Sequence, residues 1–249
     1  MRCLSLIVIH IRSHMPRFVL LLILTWLYIA IAGLISLPVL LTPYGLTWLY
    51  AEARVGVGCL FRLAGIKLEF AGREALPRHG RVVYMANHQS FLDPPALLLA
   101  LPGPVSFLAK QDLFRVPFLG WVMRRGDFVP VNREDREQAR QSVQRAAEQV
   151  RQGRPLLVFP EGTRSADGTL LPFRMGVFQI AAQAEAMIIP VTIQGTRDCL
   201  ARKSWRLHPG RVRMTIHPPI PARPAEDLSP LAEQVKDVIA SSLNEPTAI

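Results

Sequence analysis

A histidine and an aspartate stand five residues apart in Asn87-His88-Gln89-Ser90-Phe91-Leu92-Asp93. An imidazole partnered by a carboxylate can take a proton from a hydroxyl, which is the first requirement for moving a group onto an alcohol. On a straight helix, five steps of 100° would leave the two side chains about 140° apart, so a helix cannot pair them. A turn can. Asp93-Pro94-Pro95 reads as an N-cap followed by Pro at the first helical position, leaving residues 88–93 as a loop able to fold Asp93 back to His88.

A second cluster, Phe159-Pro160-Glu161-Gly162-Thr163-Arg164-Ser165, offers groups for an anion. Arg164 can fork onto a phosphate, Thr163 can hydrogen-bond to it, and Gly162 allows backbone N–H groups to come close. Glu161 is the odd member beside an anion and reads as an orienter of Arg164 or of a polyol substrate. Each turn alone has a bland reading, Asp93 as a helix cap and Arg164 as a surface arginine on an ordinary loop. Both follow apolar strand-like runs, and two such turns at the carboxyl ends of strands mark the place where α/β sheets hold their ligands.

Stretches of β type alternate with helical ones from residue 66 onward, which predicts one α/β domain over residues 66–249. The expected strands are Lys67–Phe70, Arg81–Ala86, Val105–Ala109, Phe128–Val131, Pro155–Phe159, Met187–Ile193 and Val212–Ile216. The clearest helix is Arg133–Gln152, with Asn132 as its N-cap and Gly153 ending it. A second helix follows Gly176, and a third starts at Pro230 and runs to Leu243. His217–Pro224, rich in proline, reads as an extended connector.

Residues 1–65 differ in character. Phe18–Tyr50 contains no Asp, Glu, Lys, Arg or His, and Phe18–Leu37 would make about 30 Å of helix, roughly a bilayer's hydrocarbon thickness. A cleaved signal peptide fits poorly, since the apolar run continues past Ala30-Ile31-Ala32. A hairpin fits better: Phe18–Leu37, a break at Pro38 and Pro43, then a helix over Leu46–Ala64. Arg2, Arg12 and Arg17 precede this segment and Arg54, Arg62 and Lys67 follow it, and the positive-inside tendency places both groups on the cytoplasmic side.

The chain of 249 residues carries 29 Lys and Arg against 19 Asp and Glu, a formal charge of +10. Such a balance seeks anionic partners, and beside an apolar segment the partner is an anionic membrane rather than nucleic acid. Cys3, Cys59 and Cys199 are odd in number and far apart, so neither a disulfide framework nor a zinc site is expected.

The two motifs resemble those of the 1-acylglycerol-3-phosphate acyltransferases and their glycerolipid acyltransferase relatives. His88 to Asp93 looks like the family's first motif, His-x4-Asp, and Phe159 to Arg164 like its third. Gly126-Asp127-Phe128-Val129-Pro130-Val131-Asn132-Arg133 is similar to the second, and Ile189-Pro190-Val191 to the fourth. The resemblance implies a mixed sheet flanked by helices behind an N-terminal two-helix membrane motif. It makes His88 the general base and Asp93 the group that holds its tautomer. It assigns Arg133, Glu161, Gly162, Thr163 and Arg164 to the acceptor's phosphate, and Pro190 to a strand lining the site. Arg174 stands where many members have two lysines. No Gly-x-Ser-x-Gly elbow accompanies the pair, so no acyl-enzyme is expected. The implied reaction moves an acyl group from acyl-CoA or acyl carrier protein to the sn-2 hydroxyl of lysophosphatidic acid, with no cofactor and no metal, at the cytoplasmic face of the inner membrane. Another lysolipid or glycerol 3-phosphate is the alternative acceptor, and a non-catalytic basic membrane-binding protein the alternative of another class.

Overall fold

The computed structural model of the chain describes residues 20, 21, 23–36, 38, 39, 42, 44–77, 80–116, 119–132, 135–204 and 206–243. Eight strands form one mixed sheet: β1 (Ile66–Ala71), β2 (Val82–Ala86), β3 (Ser106–Lys110), β4 (Val129–Val131), β5 (Leu156–Val158), β6 (Met187–Gln194), β7 (Gly210–Ile216) and β8 (Ile220–Pro221). Their order is β1-β7-β6-β2-β5-β3-β4, with β8 paired to β6 off that path. All pairings are parallel except those of β6 with β7 and with β8.

Strand alternation sorts the side chains into two cores. Val82, Tyr84 and Ala86 point to one face with Leu157, Ile189, Val191 and Ile193, where Phe61 and Ala64 of the helix Gly45–Ala64 and Ala96, Leu97 and Ala100 of the helix Asp93–Ala100 cover them. Val83 and Met85 point to the other face with Leu156, Val158 and Ile188. There Ala146, Ala147 and Val150 of the helix Arg136–Arg151, Phe178 and Ile180 of the helix Met175–Gln183, and Val235 and Ile239 of the helix Ser229–Leu243 close over them. Burial on both faces is why β2 and β5 read as unbroken apolar runs.

Two local expectations need correcting. The long helix is capped by Asp135, which accepts from Gln138 N–H at 3.0 Å, and begins at Arg136 rather than Arg133; Asn132 lies at the end of β4 and its amide donates to Gln138 Oε1 at 3.3 Å. The Pro-rich connector contains β8, whose two residues pair with Met187 and Ile188. Pro190 is the fourth residue of β6. It is tolerated there because the ladder to β8 ends at Ile188 and that to β7 starts at Val191, so no ladder bond asks for the missing N–H.

At the N-terminal side, residues 23–36 are helical and lie against the helix Gly45–Ala64. Tyr28 OH donates to Glu52 O at 2.6 Å and Ser36 Oγ donates to Glu52 Oε2. Gly56 permits this approach, since a Cβ there would overlap the Tyr28 ring. No helix among the described residues is long and apolar enough to cross a membrane.

Candidate active site

The register of β2 with β5, Val83 opposite Leu156 and Met85 opposite Val158, delivers the two motif loops side by side at the carboxyl edge of the sheet. Asn87 anchors the first. Its side chain accepts from Ile193 N–H at 2.7 Å and donates to Ile193 O at 2.9 Å, clamping the end of β2 to β6. Ser90 Oγ donates to Leu200 O at 2.7 Å.

Within that loop, His88 Nδ1 lies 2.8 Å from Asp93 Oδ2. The same oxygen accepts the backbone N–H groups of Gln89 at 2.7 Å and Ser90 at 2.8 Å. Asp93 is therefore not the cap of the following helix, as the sequence suggests; it is the first residue of that helix, and Leu92 is the cap. Its carboxylate turns backward into the loop, because the turn presents two N–H donors that gather on one oxygen. With three donors gathered on Oδ2, the buried carboxylate orients the ring with Nδ1–H directed at it. Nε2 is then the nitrogen with a free lone pair. The ring is further fixed by Phe159, stacked on it with centroids 4.0 Å apart and planes 18° apart.

The second loop is cross-linked to the first. Ser165 N–H donates to His88 O at 2.8 Å, and Glu161 Oε1 accepts His88 N–H at 2.7 Å while Oε2 accepts Leu171 N–H at 3.0 Å. Glu161 is buried, and burial pushes its carboxyl above the ordinary range, against the lowering effect of the two N–H bonds. Its place is that of a staple between the His88 loop and the segment around Leu171, not of a group facing an anion; both oxygens are already engaged.

Arg164 has the opposite character. Its guanidinium lies over the Phe91 ring at 3.5 Å from the centroid, and its Nη1 is buried without a hydrogen-bond partner among the described residues. Burial, and then the charge of Arg202, push it below its ordinary value, yet a guanidinium remains protonated. A partly buried cation with an unspent donor is suited to an incoming phosphate. Arg202 Nη1 donates to the Arg164 carbonyl at 2.9 Å, bringing a second cation to the same loop.

These loops help line a cavity of about 770 Å³, to which they contribute His88, Gly162, Thr163, Arg164 and Arg174, with Phe107, Met123, Phe128, Val143 and Ile180 among its apolar walls. Gly162 sits at φ +70°, and a Cβ there would come within 2.6 Å of Arg174 Nε. Gly162→Ala should therefore strain the turn and displace Arg174 together, lowering acceptor kcat/KM by about tenfold, which steady-state kinetics at varied acceptor concentration will read. A value within twofold of wild type would show that the turn adapts.

Of the residues singled out by sequence, His88, Asp93, Gly162, Thr163, Arg164 and Arg174 come together. Glu161 joins them as a staple. Pro190 is buried within β6, away from the cavity lining, with its carbonyl accepting His217 N–H at 3.0 Å. Arg133 lies outside the described residues. Sequence reasoning missed Asn87, Phe159, Phe91 and Arg202. The first three adjoin motif residues, and that adjacency was the available signal; Arg202 had none, being brought in by the segment after β6.

The family model described as Acyltransferase matches residues 67–194, which spans both loops. A 1-acyl-sn-glycerol-3-phosphate acyltransferase of Chlamydomonas reinhardtii is 37% identical over 179 residues, covering 71% of this chain and 53% of that protein. The chloroplastic BAT2 enzyme of the same name from Brassica napus is 39% identical over 180 residues, 72% of this chain and 51% of that one. The chain thus spans about half the length of these two relatives. The bacterial 1-acyl-sn-glycerol-3-phosphate acyltransferase of Borreliella burgdorferi is 30% identical over 183 residues, 74% of this chain and 71% of that one. Among solved structures, the 1-acyl-sn-glycerophosphate (LPA) acyltransferase PlsC from Thermotoga maritima superposes with a TM-score of 0.81 at 26% identity, over 92% of this chain and 94% of that chain. With its sheet, its paired loops and the greater part of its length matched, the chain belongs to the acyltransferase family.

Proposed function

We propose that this protein transfers a fatty acyl group from a thioester donor, acyl-CoA or acyl carrier protein, to the sn-2 hydroxyl of lysophosphatidic acid, forming phosphatidic acid. The observation that carries the reading is that His88, paired with Asp93, lines a largely apolar cavity that Arg164 and Arg174 also line. An acyl chain needs the apolar part, a hydroxyl needs the base, and a phosphate needs the cations. The relatives' names point to the same acceptor.

In this mechanism His88 Nε2 takes the proton of the acceptor hydroxyl as its oxygen attacks the thioester carbonyl. Asp93 offsets the positive charge that develops on the imidazole. The tetrahedral intermediate collapses by breaking the carbon–sulfur bond, and the imidazolium returns its proton to the leaving thiolate. The products are an ester and a free thiol, and no enzyme-bound acyl group forms. Arg164 and Arg174 hold the phosphate so that the hydroxyl meets His88.

The same reading places the chain on the cytoplasmic face of the inner membrane, its catalytic domain in the cytoplasm. Support comes from the N-terminal helical segments, which leave Trp26, Leu27, Leu34, Ile35 and Trp48 exposed, apolar surface of the kind that marks a membrane or partner contact. Embedding in one leaflet would cover it, and the formal charge of +10 would favour an anionic surface.

The test offers labelled acyl-CoA and acyl carrier protein with lysophosphatidic acid, glycerol 3-phosphate and a neutral lysolipid side by side. Lysophosphatidic acid should exceed the neutral lysolipid in kcat/KM by about 10–100-fold, the worth of one or two charge-assisted hydrogen bonds. If the neutral lysolipid is preferred, the phosphate role of Arg164 and Arg174 is wrong; if glycerol 3-phosphate is preferred, the acceptor is wrong and the anion site stands.

A further inference from the structure

We infer that Arg54 is a positioning residue: reaching from the apolar helix Gly45–Ala64, it holds the far end of the helix that begins at Asp93, and so ties the seating of the apolar helix to the placement of Asp93 beside His88. The inference rests on the His88–Asp93 chemistry proposed above.

The helix Asp93–Ala100 has eight residues and no basic side chain in its last turn. Its terminal carbonyls have no partners within the helix and need donors from elsewhere. Arg54 supplies them: Nη1 donates to Leu98 O at 3.0 Å and to Leu101 O at 2.6 Å, and Nη2 donates to Leu99 O at 3.2 Å. Tyr50, one turn earlier on the apolar helix, donates to Leu98 O at 3.4 Å. One guanidinium thus spans three carbonyls at the negative end of a helix dipole, where a cation is stabilising.

Beneath this contact the two helices share a core, with Phe61 and Ala64 on one and Leu97 and Ala100 on the other. The latch therefore joins two rigid bodies. A helix of eight residues is about 12 Å long, and its first residue carries the carboxylate that fixes His88 Nδ1. A shift at the latched end is transmitted to that carboxylate, and a misplacement of about 1 Å can cost as much as 10²-fold in rate. Arg73 offers an internal contrast. It donates to the Leu99 carbonyl at 2.7 Å, but from the 3-10 turn Arg73–Ala75 after β1 rather than from the apolar helix.

The experiment compares Arg54→Ala, Arg54→Lys and Arg73→Ala in the full chain, with kcat and acceptor KM measured in mixed micelles and folding followed by thermal unfolding. Arg54→Ala should lower kcat about tenfold with KM changed less than about twofold, Arg54→Lys should fall between it and wild type, and Arg73→Ala should keep kcat within about twofold, because Arg54 still holds three carbonyls. Equal losses of kcat in the Arg54 and Arg73 variants would overturn the inference, leaving only a helix cap. So would wild-type kcat in Arg54→Ala at any melting temperature, or a raised KM with unchanged kcat. Should Arg54→Ala fail to fold, Arg54→Lys decides: a cation that cannot fork should give a kcat about threefold below wild type at unchanged KM, and wild-type kcat would overturn the latch. Wild-type protein inactive on every acceptor would instead remove the proposed function beneath it.

Discussion

Replacing His88 by Ala will lower kcat by about 10²–10⁴-fold, the usual contribution of a positioned general base, while the protein still folds. The fold survives because His88 serves the architecture through its backbone, its N–H donating to Glu161 Oε1 and its carbonyl accepting from Ser165 N–H, and an alanine keeps both. Asp93 also keeps its two backbone donors from Gln89 and Ser90, so its charge is not stranded. The loss should fall on kcat, with KM for the acceptor little changed, because the groups read as holding phosphate lie on the other loop. Single-turnover transfer of labelled acyl groups will show it. A kcat within tenfold of wild type in a folded protein would mean that another group, or solvent, removes the proton.

Asp93→Asn should cost about 10²-fold in kcat, near 2.7 kcal/mol, with a small change in melting temperature. Three donors converge on Oδ2, so the amide oxygen of Asn must take that position; an NH2 there would face donors only. The tautomer of His88 survives. What disappears is the negative charge that offsets the imidazolium as it forms, and a charged acceptor is worth roughly twice a neutral one. The NH2 group must then occupy the position of Oδ1, which is buried and has no hydrogen-bond partner among the described residues, adding a modest cost in stability. Asp93→Ala serves as the contrast. It orphans the N–H groups of Gln89 and Ser90 and should lower stability by about 1–3 kcal/mol for each, an effect seen in thermal unfolding. Were Asp93→Asn to keep kcat within threefold of wild type, Asp93 would be a loop clamp without a charge role.

The two substitutions divide the site into a base and its support, and the tertiary contacts explain why the support is elaborate. A loop of six residues, 87–92, between a strand and a proline-led helix has little packing of its own. Asn87 ties it to β6, Ser90 to Leu200, and Glu161 and Ser165 to the loop after β5. Each bond spends a buried polar group on rigidity, which is how a base is held to the tolerance that a reaction requires.

By itself the sequence determined the parts that depend on neighbours along the chain. Apolar runs bounded by Gly and Pro marked seven of the eight strands, and β8 escaped because a two-residue strand in a Pro-rich segment has no periodicity to read. His88 and Asp93 were legible because a turn between them leaves few conformations, and the Gly162 turn because glycine there answers a positive φ. The tertiary structure decided everything that depends on distant partners. Whether Asp93 caps a helix or turns back to the histidine is a competition between donors on either side of it, and the convergence of Gln89 N–H, Ser90 N–H and His88 Nδ1 on one oxygen decides it. Glu161 carries the charge of a substrate-facing residue, yet the N–H groups it serves lie 73 and 10 residues away, beyond any local pattern. The cavity walls and the Arg54 latch belong to the same class. They are built from segments that meet only when the parallel register of β2 and β5 and the docking of the apolar helix are in place, because burial and carbonyl satisfaction are properties of the packed chain and not of any stretch of it.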